Sequence, residues 1–308
     1  DCTVTANGLK ISTANGLYGH KSFTETEISH CSDAKKTWLQ CQGYKYESDP
    51  NDFAANWFTS RQEAVRRSQI NTLYGKVAVD FFSCEKHLLS GVTLRISFLR
   101  AKDDFLALAE DAAKHYKVDI TEANLYVRKM VVNENVVTAI ERTLTKSPAM
   151  YRYNEVIAKT FLATAGQLSW RHEDVFTKEP IRRLVIAMNT NRAFVGNNRE
   201  NPYWYQKFDL TDITIYRNGL PTACTPIATL DNKRVYFNSM GSLAYIENGH
   251  GIPLNEFHNH YVLVFDLTST QATHDFVHPE LTNASISVEM KFSTCLLYTS
   301  PSPRDLDL

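Results

Sequence analysis

The chain has 308 residues, of which 43% are hydrophobic and 22% charged, with a formal net charge of -1. This length accommodates one large or two medium domains with a sizeable core. The near-zero charge argues against a protein held on a polyanion by a global basic field. No apolar run approaches the roughly 18–20 residues of a membrane span. The six cysteines show no CxxC spacing, a pattern typical of reduced thiols made in an intracellular compartment.

Period-two alternation of apolar and polar residues predicts strands with one buried face. Residues 76–82 (KVAVDFF) and 91–99 (GVTLRISFL) each place their apolar side chains on one face. Further strands are predicted over 117–132, 153–163, 182–188, 209–217, 258–267 and 284–293. The pairs Asn7-Gly8 and Asn218-Gly219 indicate hairpins, because type I′ turns require positive φ at both central residues.

Helices are predicted to be few and short, at residues 20–30, 32–41, 59–69 and 134–145. They interrupt the strands and do not alternate with them, which argues against a doubly wound α/β fold. The pattern favours an all-β fold of sandwiches with short helical insertions. Strands restart at Val118 after the polar stretch AEDAAKHY, so a domain boundary is predicted near residue 115.

No catalytic, metal-binding or cofactor-binding residue is predicted, and no cofactor. The stretch EFHNHYVLVFD carries His258 and His260, whose spacing places both on one side of a strand, as metal sites do use. Because an apolar strand follows them, we interpret them as two surface imidazoles at a strand entry. Serine, histidine and aspartate occur without a nucleophile elbow, so the chain is predicted not to be an enzyme.

Several stretches carry a resemblance, of which residues 180–219 are the most specific. Their order is Arg183, Ala193-Phe194, Gly196, Asn201-Pro202-Tyr203, Ile213 to Tyr216 and Gly219. The supporting stretches are YGHKSFTETEISHCSDAKKTWLQC (18–41), VTLRISFLRAKDDF (92–105), ANLYVRKMVV (123–132) and SVEMKF (287–292). Taken in order, they are similar to the major capsid proteins of Polinton/Maverick elements and related adintoviruses.

The resemblance implies a double jelly-roll of two eight-stranded antiparallel β-sandwiches, the first truncated. Residues 1–115 would be the C-terminal part of the first jelly-roll, whose early strands would be missing, and 116–294 the second. Three chains would form a pseudo-hexagonal capsomer, and capsomers would tile an icosahedral shell assembled inside the host cell. The implied partners are the chain itself and a penton or minor capsid protein, with no specific nucleic-acid sequence and the virion as location.

Assembly of this kind depends on interface residues, and exposed aromatic side chains are good anchors. The segment NPYWYQKF offers Tyr203, Trp204 and Tyr205, and a second predicted loop offers Tyr245. Trp204 has an equally favoured alternative role as a cap on the end of a sandwich core. For the whole chain the alternative function is a carbohydrate-binding β-sandwich, and a hydrolase on a β scaffold would need a triad that is not found.

Residues 295–308 change character, and no strand periodicity continues into them. The eleven residues CLLYTSPSPRD back-translate in frame into a transposase-type sequencing adapter. We therefore expect 295–308 to be an adapter-derived artefact joined to a capsid protein fragment, and not a capsid tail.

Overall fold

A computed structural model describes residues 1–12, 15–47, 49, 52–111, 113–225, 227, 232–243, 251–268 and 283–293. The described strands are β1 (Cys2–Ala6), β2 (Leu9–Lys10), β3 (Leu94–Phe98), β4 (Ser169–Glu179), β5 (Arg183–Ala187), β6 (Leu210–Arg217), β7 (Leu220–Thr225), β8 (Val262–Asp266) and β9 (Ala284–Phe292). The described α-helices are α1 (Tyr18–Ser29), α2 (Ser32–Lys36), α3 (Asn56–Val65), α4 (Asp103–Leu106), α5 (Glu134–Leu144), α6 (Asn191–Val195) and α7 (Asn232–Gly241). Short 3-10 helices lie at Trp38–Gln42, Arg66–Ser68 and Asp80–Ser83. Among the helices described, none has the length and apolar character that crossing a membrane requires.

The chain divides into two compact units, each assembled from three segments. Unit 1 comprises Asp1–Tyr18, Val77–Arg100 and Lys117–Ile157, and unit 2 comprises Gly19–Lys76, Ala101–Tyr116 and Ala158–Leu308. One crossing between the units falls between Tyr116 and Lys117, beside the predicted boundary. The division into domains 1–115 and 116–294 itself stays a prediction.

Unit 1 contains an antiparallel three-stranded sheet in the order β2-β1-β3. Its buried face is built on Cys2 and Val4 of β1, against which Val79 packs. The partly buried residues around them are Ile11, Tyr18, Val77, Phe81, Phe82, Leu94 and Ile96. The other face is polar, and a cavity of about 470 Å³ on it is lined by Thr3, Thr5, Gly8, Thr93, Arg95 and Ser97.

Unit 2 contains a four-stranded antiparallel sheet in the order β4-β9-β6-β7 and a two-stranded sheet of β5 with β8. Strand β9 buries every second side chain along almost its whole length. Its apolar residues lie opposite those of β6, with Ile213 paired to Met290 and Ile215 to Val288. Cross-strand apolar pairs of this kind stabilise a sheet and fix its register.

Nesting is the main feature of strand pairing in unit 2. Its first strand, β4, pairs with its last described strand, β9, and β5 pairs with β8. The two strands that are farthest apart in the sequence, β4 and β9, thus pair with each other. The strands of the pair β5–β8 lie between them in the sequence. Strand β6 lies on the other side of β9, and β7 continues from β6 as a hairpin.

The prediction of antiparallel sheets is confirmed, whereas the all-β class is wrong, because the structure is mixed helix and sheet. Strands form as predicted within 91–99, 182–188, 209–217 and 284–293. In the predicted strand 258–267, the observed strand β8 begins only at Val262. The predicted strands at 76–82, 117–132 and 153–163 do not form. A strand requires a partner for its backbone groups, and these segments have no ladder partner within the described ranges.

Both predicted hairpins are confirmed. Asn7 and Gly8 have φ of 49° and 82° between β1 and β2, and Asn218 and Gly219 have φ of 51° and 81° between β6 and β7. The helix predicted at 134–145 also forms, as α5, with the Asn133 side chain accepting from the backbone N–H of Asn135 as an N-cap.

Candidate functional site

The predicted anchor segment lies in unit 2 between α6 and β6. The side chain of Asn201 accepts a hydrogen bond from the backbone N–H of Tyr203 (2.9 Å), which holds the segment in a turn. Further along, Tyr205 forms an isolated parallel bridge with His260, and its carbonyl accepts from the N–H of Tyr261 (3.1 Å). The segment therefore rests on the chain that leads into β8.

Tyr203 and Tyr205 point inward, into an aromatic cluster. Tyr203 stacks on Phe23 of α1 with ring centroids 4.5 Å apart, and the Tyr205 side chain is 4% exposed. The Tyr205 hydroxyl lies 3.1 Å from the Thr24 hydroxyl and 3.5 Å from Nδ1 of His20. Burial raises the pKa of Tyr203 to about 12 and raises that of Tyr205 as well.

Trp204, like Tyr203, is half-buried, and its backbone N–H donates to the carbonyl of Asn201 (3.2 Å). Tyr245, the fourth predicted anchor, lies outside the described residues. The structure thus brings the rings of Tyr203 and Tyr205 together against α1, while Trp204 keeps accessible surface. The role of these residues in an interface stays a prediction.

A buried ion pair lies next to the aromatic cluster. The Lys35 ammonium of α2 donates to the Glu27 carboxylate of α1 (2.7 Å), and also to the carbonyl oxygens of Glu27 (3.0 Å) and Gly251 (3.4 Å). Tyr44 lies beside the pair, where burial and then the Glu27 carboxylate raise the pKa of its hydroxyl. Nothing in the sequence singles out these residues, since TETEISHCSDAKK is typical of an exposed helical segment.

A second buried carboxylate ties the anchor segment to the preceding helices. Glu47 accepts a hydrogen bond from the Asn201 amide and another from the Arg61 guanidinium of α3 (2.6 Å). The same guanidinium lies over the ring of Trp57, 5.3 Å from its centroid. Charge-assisted bonds at buried positions are strong, so Glu47 fixes the position of Asn201 and of the turn after it.

The position of His260 corrects the prediction that His258 and His260 are both surface residues at a strand entry. His258 is exposed, but His260 is 3% exposed, because residues 254–259 form turns and β8 begins only at Val262. The two imidazoles therefore do not share a strand face. Burial lowers the pKa of His260, an effect that outweighs the neighbouring carboxylates of Glu27 and Glu47.

His20 is the second histidine of the cluster. It stacks on Phe194 of α6 with centroids 5.0 Å apart, and burial lowers its pKa to about 4. Both histidines are therefore neutral at neutral pH. Among the described residues, no three His, Cys, Asp or Glu side chains are grouped so as to hold a metal ion.

The side-chain contacts of this site connect separate segments of unit 2 to one another. The ion pair, Glu47 and the stacked rings join α1, α2 and α3 to the segments before β6 and β8. In the low dielectric of a buried site such contacts are strong and directional, so they hold the loop carrying Trp204 in one conformation.

Among curated proteins the chain is similar to a distant relative. An uncharacterized protein of Caenorhabditis elegans is 19% identical over 301 residues, which cover 91% of this chain and 70% of that protein. No model of a protein family matches the chain, and no solved structure matches it.

Proposed function

We propose that this chain is a structural capsid protein with a double jelly-roll fold, three copies of which form a pseudo-hexagonal capsomer. Neighbouring capsomers and a penton or minor capsid protein are its further partners, and an icosahedral virion assembled in the host cell is its destination. The proposal combines the ordered resemblance in the sequence with one observation on strand pairing.

The observation that carries the proposal is the nested pairing in unit 2. A jelly-roll arises when a long antiparallel hairpin folds over, so that the first strand pairs with the last and the second with the last but one. The pairs β4–β9 and β5–β8 follow this rule, and β6 beside β9 extends the outer sheet in the expected direction. Simple meanders pair sequence neighbours instead, so the nesting favours a jelly-roll over them.

The most specific part of the resemblance also coincides with structural elements. Residues 180–219 contain β5, α6, the turn at Asn201, β6 and the Asn218-Gly219 hairpin, in that order. A resemblance that follows consecutive elements and their turns concerns the fold, and it supports the assignment of unit 2 to the second barrel.

The carbohydrate-binding alternative has less support. A sugar site needs aromatic faces accessible at one end of a sandwich, with carboxylates beside them. The rings of Tyr203 and Tyr205 instead pack against residues of unit 2. Glu47 accepts hydrogen bonds from Arg61 and Asn201. Their placement is that of groups that organise a loop, a role that an assembly interface requires.

The test is the mass and shape of the purified chain over a range of concentrations. Light scattering and native mass spectrometry are expected to give a species of three times the chain mass of 35.1 kDa, and electron microscopy is expected to show three-fold particles. The same preparation is applied to a glycan array. A folded chain that stays monomeric at every concentration and binds glycans would contradict the capsid proposal and favour the alternative.

A further inference from the structure

Residues 117–132 have the alternation of a strand but pair with no strand in the part of the chain that the structure describes. The segment belongs to unit 1, and its large apolar side chains are exposed. They are Val118, Ile120, Leu125, Tyr126, Val127, Met130, Val131 and Val132. Contiguous exposed apolar surface marks interaction sites, and a chain with strand propensity pairs readily with another strand.

Charge is arranged in this segment in two halves of opposite sign. Asp119 and Glu122 outweigh Lys117 in the first half, and Arg128 and Lys129 lie in the second. Two copies aligned antiparallel therefore bring each acidic half against a basic half. An arrangement in which the same patch is complementary to itself is what a twofold interface between identical chains requires.

One register satisfies both charge and apolar pairing. With Leu125 opposite Leu125 of a second copy, Glu122 lies directly opposite Arg128 on each side of the axis. The apolar pairs are then Val118 with Val132, Ile120 with Met130, Ala123 with Val127, and Leu125 with itself. A shift by one residue in either direction loses half of these apolar pairs. One shift places Glu122 opposite Val127 and the other places it opposite Lys129, so the apolar pairs exclude the register that keeps an opposite charge.

We propose that residues 118–132 form an antiparallel strand pair with the same segment of a second copy, across a twofold axis at Leu125. Backbone groups of the two copies form the ladder between them, and the apolar pairs together with the Glu122–Arg128 pairs select the register. In the single chain, Glu122 accepts from the Asn124 amide (2.7 Å), an exposed contact that is readily exchanged.

The twofold contact is separate from the threefold contact of a capsomer, because one isologous patch closes a pair and not a ring of three. One conclusion rests on the proposed capsid function: in a capsid, the strand pair joins one capsomer to the next. The two proposals fail separately: loss of trimers concerns the capsid function, and loss of dimers concerns the strand pair.

Charge reversal on the full chain tests the register. Glu122→Arg and Arg128→Glu each place like charges opposite one another and are expected to weaken dimerisation about tenfold in analytical ultracentrifugation. The double variant restores opposite charges and is expected to dimerise within about threefold of the unsubstituted chain. Arg142→Glu, with the same change on an exposed site of α5, is the control and is expected to leave dimerisation unchanged.

Disulfide cross-linking gives a second measurement that does not depend on affinity. In this register Leu125→Cys places two thiols directly opposite each other, whereas Val127→Cys, at a similarly exposed site, keeps them four residues out of step. Cross-linked dimers above the background of the native cysteines are expected for Leu125→Cys and not for Val127→Cys. Equal cross-linking of both variants would overturn the strand pair.

Further outcomes would also overturn the proposal. One is a chain that remains monomeric at the highest attainable concentration. Another is a dimer unaffected by either charge reversal. The third is backbone protection of residues 118–132, measured by hydrogen exchange, that appears only when a different protein is added, since the occupant would then not be a second copy.

Discussion

The Lys35 ammonium lies 2.7 Å from the Glu27 carboxylate, and the two side chains are only 5% and 2% exposed. The pair joins α1 to α2, and Lys35 also donates to the carbonyl of Gly251 in the segment before β8. A buried charge that keeps its partner is tolerated, but the same charge left alone is expensive. The stability of unit 2 should therefore respond more to loss of one partner than to loss of both.

Lys35→Met is expected to lower the free energy of unfolding by about 3–5 kcal/mol, because Glu27 is then left buried without its cation. Adding Glu27→Gln to that variant should recover part of the loss. Urea denaturation followed by circular dichroism measures both. The control is Arg66→Met, which breaks an exposed pair with Glu63 and should change the free energy by less than about 0.5 kcal/mol. Equal losses in the two single variants would contradict the expectation.

Acid should destabilise unit 2 through His20 and His260, whose pKa values are lowered in the fold. The pKa of His20 is lowered from 6.5 to about 4 in the fold, so the unfolded chain binds more protons between these values. Stability is therefore lost as pH falls from about 6.5 to about 4, by up to roughly 2–3 kcal/mol from this residue. His260, whose pKa is also lowered, acts in the same direction.

Urea titrations at neutral pH and near pH 4.5 measure this dependence. His20→Phe keeps a ring against Phe194 but removes the titrating group, so its free energy of unfolding should fall less on acidification than that of the unsubstituted chain. The exposed His87 of unit 1 provides the control, since His87→Phe should leave the acid response of the cluster in place. An unchanged acid response in His20→Phe would show that the loss comes from other groups.

Two glycines with positive φ should differ in their tolerance of alanine. At Gly219 an added Cβ meets no atom within 4 Å, so only the backbone conformation opposes it, at about 1 kcal/mol. At Gly196, where φ is 106°, the Cβ would also lie 3.3 Å from the backbone nitrogen of Phe105. Gly196→Ala should therefore lower the free energy of unfolding by at least about 2 kcal/mol, clearly more than Gly219→Ala. Equal losses in thermal or urea unfolding would disprove the contact argument.

The sequence predicts best where the determinant is local. Asn-Gly dipeptides set positive φ by themselves, and the alternation in β9 matches a sheet with one buried face, so both appear as predicted. Strand β4 was missed because its ladder with β9 is interrupted by irregular pairing, with positive φ at Asp174 and Lys178, which breaks the alternation. Residues 117–132 are the opposite case. Their sequence has a clear strand pattern, but they form no strand, because a strand requires a partner for its backbone hydrogen bonds.

Only some residues of the candidate site can be predicted from the sequence. The aromatic anchors stand out in NPYWYQKF, but nothing local indicates that Tyr205 faces Thr24, a residue 181 positions away. Glu27 and Lys35 sit in a polar helical stretch with no sign of burial. The apolar run that starts at Tyr261 was the available signal that His260 enters the interior.

Trp204 and Tyr205 are adjacent, yet substitution of each should affect a different property. Tyr205 is buried, so Tyr205→Ala should lower the free energy of unfolding by about 3–5 kcal/mol. Trp204 keeps accessible surface on a loop held by Glu47 and Asn201. Under the capsid proposal, Trp204→Ala should weaken trimer formation about tenfold or more while lowering the free energy of unfolding much less.

Light scattering over a dilution series measures the first effect, and urea denaturation of the same samples measures the second. Trp38→Ala removes a partly exposed tryptophan elsewhere in unit 2 and is the matched control, for which trimer formation should be unchanged. If Trp204→Ala lowers stability as much as Tyr205→Ala and leaves trimers intact, Trp204 caps a core. Its accessible face would then not be an assembly contact, because an anchor loses binding on truncation while a core cap loses folding.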